Sequence, residues 1–256
     1  MNHKVAVITG SGRKRVGNAI ARALALEGYY VAIHYHRSQS DAMQTVAELK
    51  SAGVAAAAFA GNLAQEDDVE RIFAEIIEQF GRIDVLVNAA SIWRKIPLET
   101  VTAADIQENF GVDTLGTFLC SRRAGLVMAD QQTGGAIITI GDWAIERPNV
   151  DHAAYFIAKG SIPTLTRMLA VELARRNPLV RVNCISPGSV LFPPNTSPEE
   201  EQKLIESTLV RSGNCPEAIV QAVLFLIENK FVTGVCLPVD GGRSIFTSEQ
   251  FSERGV

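Results

Sequence analysis

Residues 5–17 read "VAVITGSGRKRVG". A short β-branched, apolar run ends on two glycines, three basic residues follow, and a third glycine opens a stretch of helical period. Strand, glycine turn and helix in that order let backbone approach a pyrophosphate and aim helix N-terminal amides at it. Glycines after a strand are also ordinary turn residues, so the context along the chain decides between the two.

That context is regular. Apolar runs recur as "YYVAIHYH", "AAAAFAG", "DVLVNAA", "GGAIITIG", "VRVNCISPG" and "GVCLPVDGG", making seven strand candidates with the first. Helix candidates lie between them at 17–27, 39–52, 65–80 and 153–176, with Gly28, Gly53 and Gly81 where C-caps are expected. Strands buried on both faces read as continuous apolar runs, and their alternation with helices implies an α/β fold, a doubly wound parallel sheet in one domain over 1–256. Residues 189–215 break the rhythm with prolines and an acidic run. They are expected to form a substrate loop with one short helix from Pro198, or else a plain surface excursion.

The 256-residue chain has a formal net charge of −4, which excludes a general attraction to nucleic acid or acidic membranes. Its four cysteines have no metal-ligand spacing, and no run of apolar residues suits a signal peptide or membrane span. A cytoplasmic protein without a metal is expected.

The second strand ends "HYHRS". An acidic residue there would accept from an adenosine ribose 2′-hydroxyl; His36, Arg37 and Ser38 instead suit a 2′-phosphate. With Arg13, Lys14 and Arg15 in the first turn, these residues read as a clamp for NADPH, the plainer alternative being a solvated basic turn. Farther on, "YFIAK" at 155–159 puts Tyr155 and Lys159 on one helix face. There an ammonium would draw the phenol's pKa down toward neutrality.

Taken together, "TGSGRKRVG", "NAA" at 88–90, "YFIAK", "SPG" at 186–188 and "VDGG" at 239–242 resemble the short-chain dehydrogenase/reductase family from Val5 to Gly242. The resemblance implies a seven-stranded Rossmann-type domain and a homotetramer built on helices around 102–127 and 153–176 and on the last helix and strand, while the sequence alone supports a dimer equally. It implies Tyr155 as general acid, with Lys159 holding the nicotinamide ribose. By the same resemblance NADPH would lie along Gly10, Arg13, Arg15, Val16, Gly17, His36, Arg37, Ser38, Asn62, Leu63, Asn88, Ala89, Ala90, Tyr155, Lys159, Pro187, Gly188 and Val190.

Three departures stand out. Asp142 replaces the family's serine thirteen residues before the tyrosine, Asp113 replaces a helix asparagine that supports the proton relay, and the first turn is one residue longer. Pteridine reductases within the family resemble this chain at Asp142, Arg15 and "HYHRS", and carry an aromatic residue near Trp93. The expectation is therefore an NADPH-dependent reductase of a pterin or similar flat heterocycle, with Asp142, Tyr155, Lys159 and Asp113 catalytic and with Ser91, Trp93, Asp142 and Tyr155 around the substrate. A 3-oxoacyl thioester reductase and a weakly catalytic NADPH-binding regulator are the alternatives. Trp93 could also be a core or interface anchor; Trp143 is expected to pack, His152 to be a surface residue at a helix start, and Cys184 to pack within its strand.

Overall fold

In the computed structural model, residues 3–246 are described, so the expected unit over 1–256 extends past them at both ends. All seven strand candidates form: β1 (Val5–Thr9), β2 (Tyr30–Tyr35), β3 (Ala56–Ala60), β4 (Val85–Asn88), β5 (Gly135–Ile140), β6 (Val180–Pro187) and β7 (Cys236–Val239). They pair in parallel in the order β3-β2-β1-β4-β5-β6-β7. The order reverses between β1 and β4, and such a switch point opens a crevice at the strands' carboxyl ends.

Because successive side chains on a strand face opposite ways, the sheet feeds two cores. Ala6, Ile8, Val85 and Val87 pack with Ile20 and Leu24 of α1 (Val16–Leu26), Val46 of α2 (Gln39–Ser51) and more distant helical partners such as Val223 and Leu226. Val7 and Leu86 point the other way, toward Ile72, Phe73 and Ile76 of α3 (Glu66–Phe80) and toward Leu165 and Leu169. Val69, Ile72, Phe73 and Ile76 make one buried stripe at helical spacing, while Glu66, Asp67 and Asp68 favour the positive start of α3. Gly28, Gly53 and Gly81 follow α1, α2 and α3 with positive φ, as expected of C-caps.

Two long helix candidates are interrupted. The segment around 102–127 begins as α4 (Ala103–Asn109), widens into a π-helical turn over Phe110–Gly116 and resumes as α5 (Thr117–Asp130). The segment 153–176 divides into α6 (Ala153–Lys159) and α7 (Ile162–Ala174). Pro163 sits in the first turn of α7 and has no N–H to offer the carbonyl of residue 159, so the ladder breaks there. Beyond β6 the excursion at 189–215 carries α8 (Pro198–Glu206), and α9 (Pro216–Glu228) follows it. The ends of the excursion are tied by Asn214 N–H donating to the Ser189 carbonyl at 3.1 Å. Among the described residues, no helix is long and apolar enough to cross a membrane.

Candidate active site

The glycine turn is fitted to the switch point by backbone contacts. Thr9 Oγ1 accepts from the Ala89 and Ala90 amides at 3.0 and 3.1 Å, joining β1 to the end of β4. Gly10 has φ of +62°, and a Cβ there would come within 2.6 Å of the Ala90 Cα, so glycine is required on both counts. Its amide donates to His34 Nδ1 at 3.1 Å; the proton therefore lies on Nε2, which donates to the Gly61 carbonyl at 3.0 Å. Burial holds this imidazole neutral, with its pKa lowered to about 4.

Gly12 packs against the end of β2 so closely that a Cβ would lie 2.6 Å from Ser38 Oγ. The basic turn and the "HRS" stretch are thereby brought together. Arg13, Lys14, Arg15, His36 and Arg37 are exposed and Ser38 is half-buried. Arg13 reaches 3.7 Å from Asp41, in the first turn of α2. Helix α1 has no side-chain cap and no acidic residue in its first turn, so its amide end is free to meet an anion. Val16 starts that helix, and Gly17 packs on Ala89.

Around the crevice, Asn88 Nδ2 donates to Ser121 Oγ at 2.9 Å, while its buried Oδ1 has no partner among the described residues. Asn62 donates its amide to Asp68 at 2.7 Å, and Leu63 is buried. Gly188, after Pro187, bonds to the Val239 carbonyl at 2.9 Å, and the Val190 side chain packs into the core.

The catalytic candidates converge beside this edge. Tyr155 Oη donates to Asp142 Oδ2 at 2.5 Å, and Asp142 Oδ1 accepts from the Ala144 amide at 2.7 Å, capping a 3₁₀ turn over Trp143–Ile145. One helical turn on, Lys159 Nζ donates to the Ile140 carbonyl at 2.8 Å and stands 3.2 Å from Asp113 Oδ1. The buried Asp113 carboxylate also accepts from Ser91 Oγ at 2.5 Å and from the Ile92 amide at 3.1 Å. Asp113 comes from the π-helical turn, where the widened coil places it under the site.

One expectation is corrected here. The Tyr155 phenol is not drawn down: burial, then the Asp142 carboxylate and its hydrogen bond, then Asp113, push its pKa up. The ammonium meant to lower it lies 5.8 Å from the ring centroid and is paired with Asp113. Ser91, expected against substrate, is half-buried and donates its hydroxyl proton to Asp113.

Trp93 is half-exposed beside the phenol, edge-on to Tyr155 at 4.5 Å between centroids. His152 is stacked on it at 4.1 Å, and Phe156 meets it edge-on at 6.2 Å. His152 is buried at the N-cap of α6, with Nδ1 donating to the Val150 carbonyl at 2.7 Å, because the indole covers the ring. The expected surface position is thus overturned. Trp143 has the Arg243 guanidinium over its ring at 4.4 Å. Cys184 is buried in β6, as expected.

Comparison with known proteins bears on this arrangement. A family model described as Enoyl-(Acyl carrier protein) reductase matches residues 12–244. The 3-oxoacyl-[acyl-carrier-protein] reductase of Rattus norvegicus is 36% identical over 93% of this chain and 97% of its own length. The chain belongs to the short-chain dehydrogenase/reductase family. The reductase FabG of Staphylococcus aureus, with the same activity in its name, is 34% identical over 93% of the chain and 97% of its own length. A solved structure from Agrobacterium tumefaciens, provisionally assigned as a gluconate dehydrogenase, superposes with a TM-score of 0.87 at 30% identity, covering 95% of this chain and 97% of that one.

As a member of the short-chain family the chain is an oxidoreductase. The edge described above fits a nicotinamide dinucleotide: a tight glycine turn, an uncapped helix start, basic side chains and a buried amide oxygen unpartnered among the described residues border one crevice. When bound, that group supplies or accepts the hydride. The family relatives carry names that match the 3-oxoacyl alternative better than the pterin expectation.

Sequence reasoning missed Thr9, His34 and Arg243. The first two carried a usable signal, a polar residue inside or closing an otherwise apolar strand. Arg243 carried none, since only the fold returns the chain after β7 to the Trp143 turn.

Proposed function

We propose that this chain is an NADPH-dependent reductase of carbonyl groups, with 3-oxoacyl thioesters as the substrate class. The observation that carries reduction is the buried Tyr155 proton donor, held at 2.5 Å by Asp142 beside the cofactor crevice. The relatives' names carry the substrate class. Preference for NADPH rests on Arg37 and Ser38 at the end of β2, where no acidic residue competes for a ribose hydroxyl.

In this reading Tyr155 gives its proton to the oxygen that gains charge as hydride arrives. Asp142 orients the phenol, and Lys159 is anchored by Asp113 and the Ile140 carbonyl where it can meet a ribose hydroxyl. Since two carboxylates oppose a phenolate, Tyr155 rests as the phenol, the form that donates.

A second reading is favoured by Asp142 and Trp93. A carboxylate in place of a neutral hydroxyl suits a substrate bearing N–H donors, and the half-exposed indole suits a planar ring such as a pterin. Loss of NADPH absorbance with an acetoacetyl thioester and with dihydrobiopterin tests both. Turnover of the thioester alone supports the first reading, and turnover of the pterin alone replaces it with the second.

The same proposal includes a homotetramer. Phe110, Leu115 and Leu126 on one helical stretch, and Ile157, Met168 and Val171 on the other, are large exposed apolar side chains of the kind that interfaces cover. A monomer in light scattering at micromolar concentration would contradict it.

A further inference from the structure

Next to the catalytic pair lies a cation that neither the cofactor edge nor the proton relay uses. Arg243 occupies the turn after β7, and that turn is tied down from three sides. Asp240 accepts from the Gly242 and Ser244 amides at 3.0 and 2.7 Å. Arg147 donates to the Arg243 and Phe246 carbonyls at 3.1 and 2.5 Å. Leu209, at the end of the 189–215 excursion, donates its amide to the Gly241 carbonyl at 2.8 Å.

The Arg243 side chain is half-buried. Its guanidinium lies over the Trp143 ring, on the residue that follows Asp142, and Nη1 donates to Ser189 Oγ at the start of the excursion. Asp142 and Asp240 are the carboxylates whose fields reach it, yet neither forms an ion pair with it among the described residues. Burial lowers its pKa, as for a cation only partly compensated by its surroundings. A guanidinium has five N–H donors in a planar fork, and a serine oxygen with an indole face leaves that fork unfilled. An indole platform also fixes the fork before a ligand arrives, so less rotamer freedom is lost on binding.

We propose that Arg243 is a specificity-determining residue that binds an oxyanion carried by the substrate, a carboxylate or a phosphate set apart from the reacting carbon. The proposal rests on the reductase reading and deepens it, since it states a feature the substrate must carry whichever group is reduced. Carboxylate and phosphate share the geometry that a bidentate guanidinium recognises.

Two pairs of compounds, each sharing a reacting group, separate the sources. Dihydrofolate differs from dihydrobiopterin in bearing carboxylates, and acetoacetyl-coenzyme A differs from acetoacetyl-N-acetylcysteamine in bearing phosphates. In the full-length protein, Arg243→Met keeps an apolar stem over Trp143 and removes the charge. Within the pair that responds, the KM of the anionic member relative to the neutral one should rise about 10–100-fold, the range expected for a lost charge-assisted hydrogen bond. Arg243→Lys should recover part of it, having charge without the fork. An unchanged ratio in both pairs, even if every KM moves, overturns the proposal. Affinities of the same four compounds, read by tryptophan fluorescence, give the same ratio where none turns over. Absence of turnover with bound NADPH then counts against the reductase reading, and an affinity ratio that Arg243→Met leaves unchanged in both pairs counts against Arg243.

Discussion

Lys159 Nζ lies 3.2 Å from Asp113 Oδ1 with both side chains buried, so the ammonium that family chemistry directs at the tyrosine is neutralised by a carboxylate from the π-helical turn. Tyr155 therefore faces two carboxylates with its nearest cation already paired. The relay in this chain starts from a firmly protonated phenol.

Replacing Asp113 separates its two effects. Asp113→Asn removes one of the charges that raise the Tyr155 pKa and frees Lys159, so the phenol should ionise at lower pH. Phenolate absorbance in an alkaline titration, with Tyr155→Phe as the blank, reads this directly. No change would show that burial and Asp142 set the value without Asp113. Asp113→Leu should instead cost about 3–5 kcal/mol of stability in urea unfolding, because it leaves a buried ammonium unpaired.

Loss of the phenol itself should act on chemistry and spare the fold. Tyr155→Phe keeps the ring that Trp93 packs against edge-on. Turnover should fall by about two to four decades, the usual contribution of a positioned acid, with NADPH affinity retained. Full activity in this variant would remove Tyr155 from the mechanism.

Cofactor choice should follow the end of β2. A charge-assisted contact contributes roughly 1.5–3 kcal/mol, so Arg37→Asp should weaken NADPH binding about 10–100-fold and leave NADH equal or preferred. Isothermal titration with both dinucleotides measures it. Equal affinities in the unaltered protein would exclude 2′-phosphate recognition.

His34 should make stability pH-dependent. Its folded pKa of about 4 lies below the ordinary 6.5, so between these values the unfolded chain holds a proton that the folded chain does not. Stability should then rise with pH across that window, by up to ~3 kcal/mol from this group, and flatten above it. Unfolding free energies from pH 4 to 7 should show the slope, and His34→Gln should lose it. An equal slope in both proteins would assign it to other groups.

The local order of the chain was enough to determine the scaffold. Seven apolar runs had to be strands covered on both faces, because no other placement buries runs such as "AIITI" between helices with single apolar stripes. The strand-turn-helix start, the basic end of β2 and the four-residue spacing of Tyr155 and Lys159 are also local facts, and the fold places all of them at one sheet edge. What the sequence did not settle depends on distances through space between distant segments. Lys159 is paired with Asp113 because a π-helical turn, invisible to apolar periodicity, widens α4 into α5 beneath it. Ser91 turns inward for the same reason, and Trp93 covers His152 because the loop after β4 folds over the start of α6. Arg243 meets Trp143 only once β7 has joined the sheet beside β6 and the turn after it is pinned by Arg147. Charge and hydrogen-bond energies fall steeply with separation, so the direction of the Tyr155 shift was decided by tertiary packing, although the residues responsible can all be read in the chain.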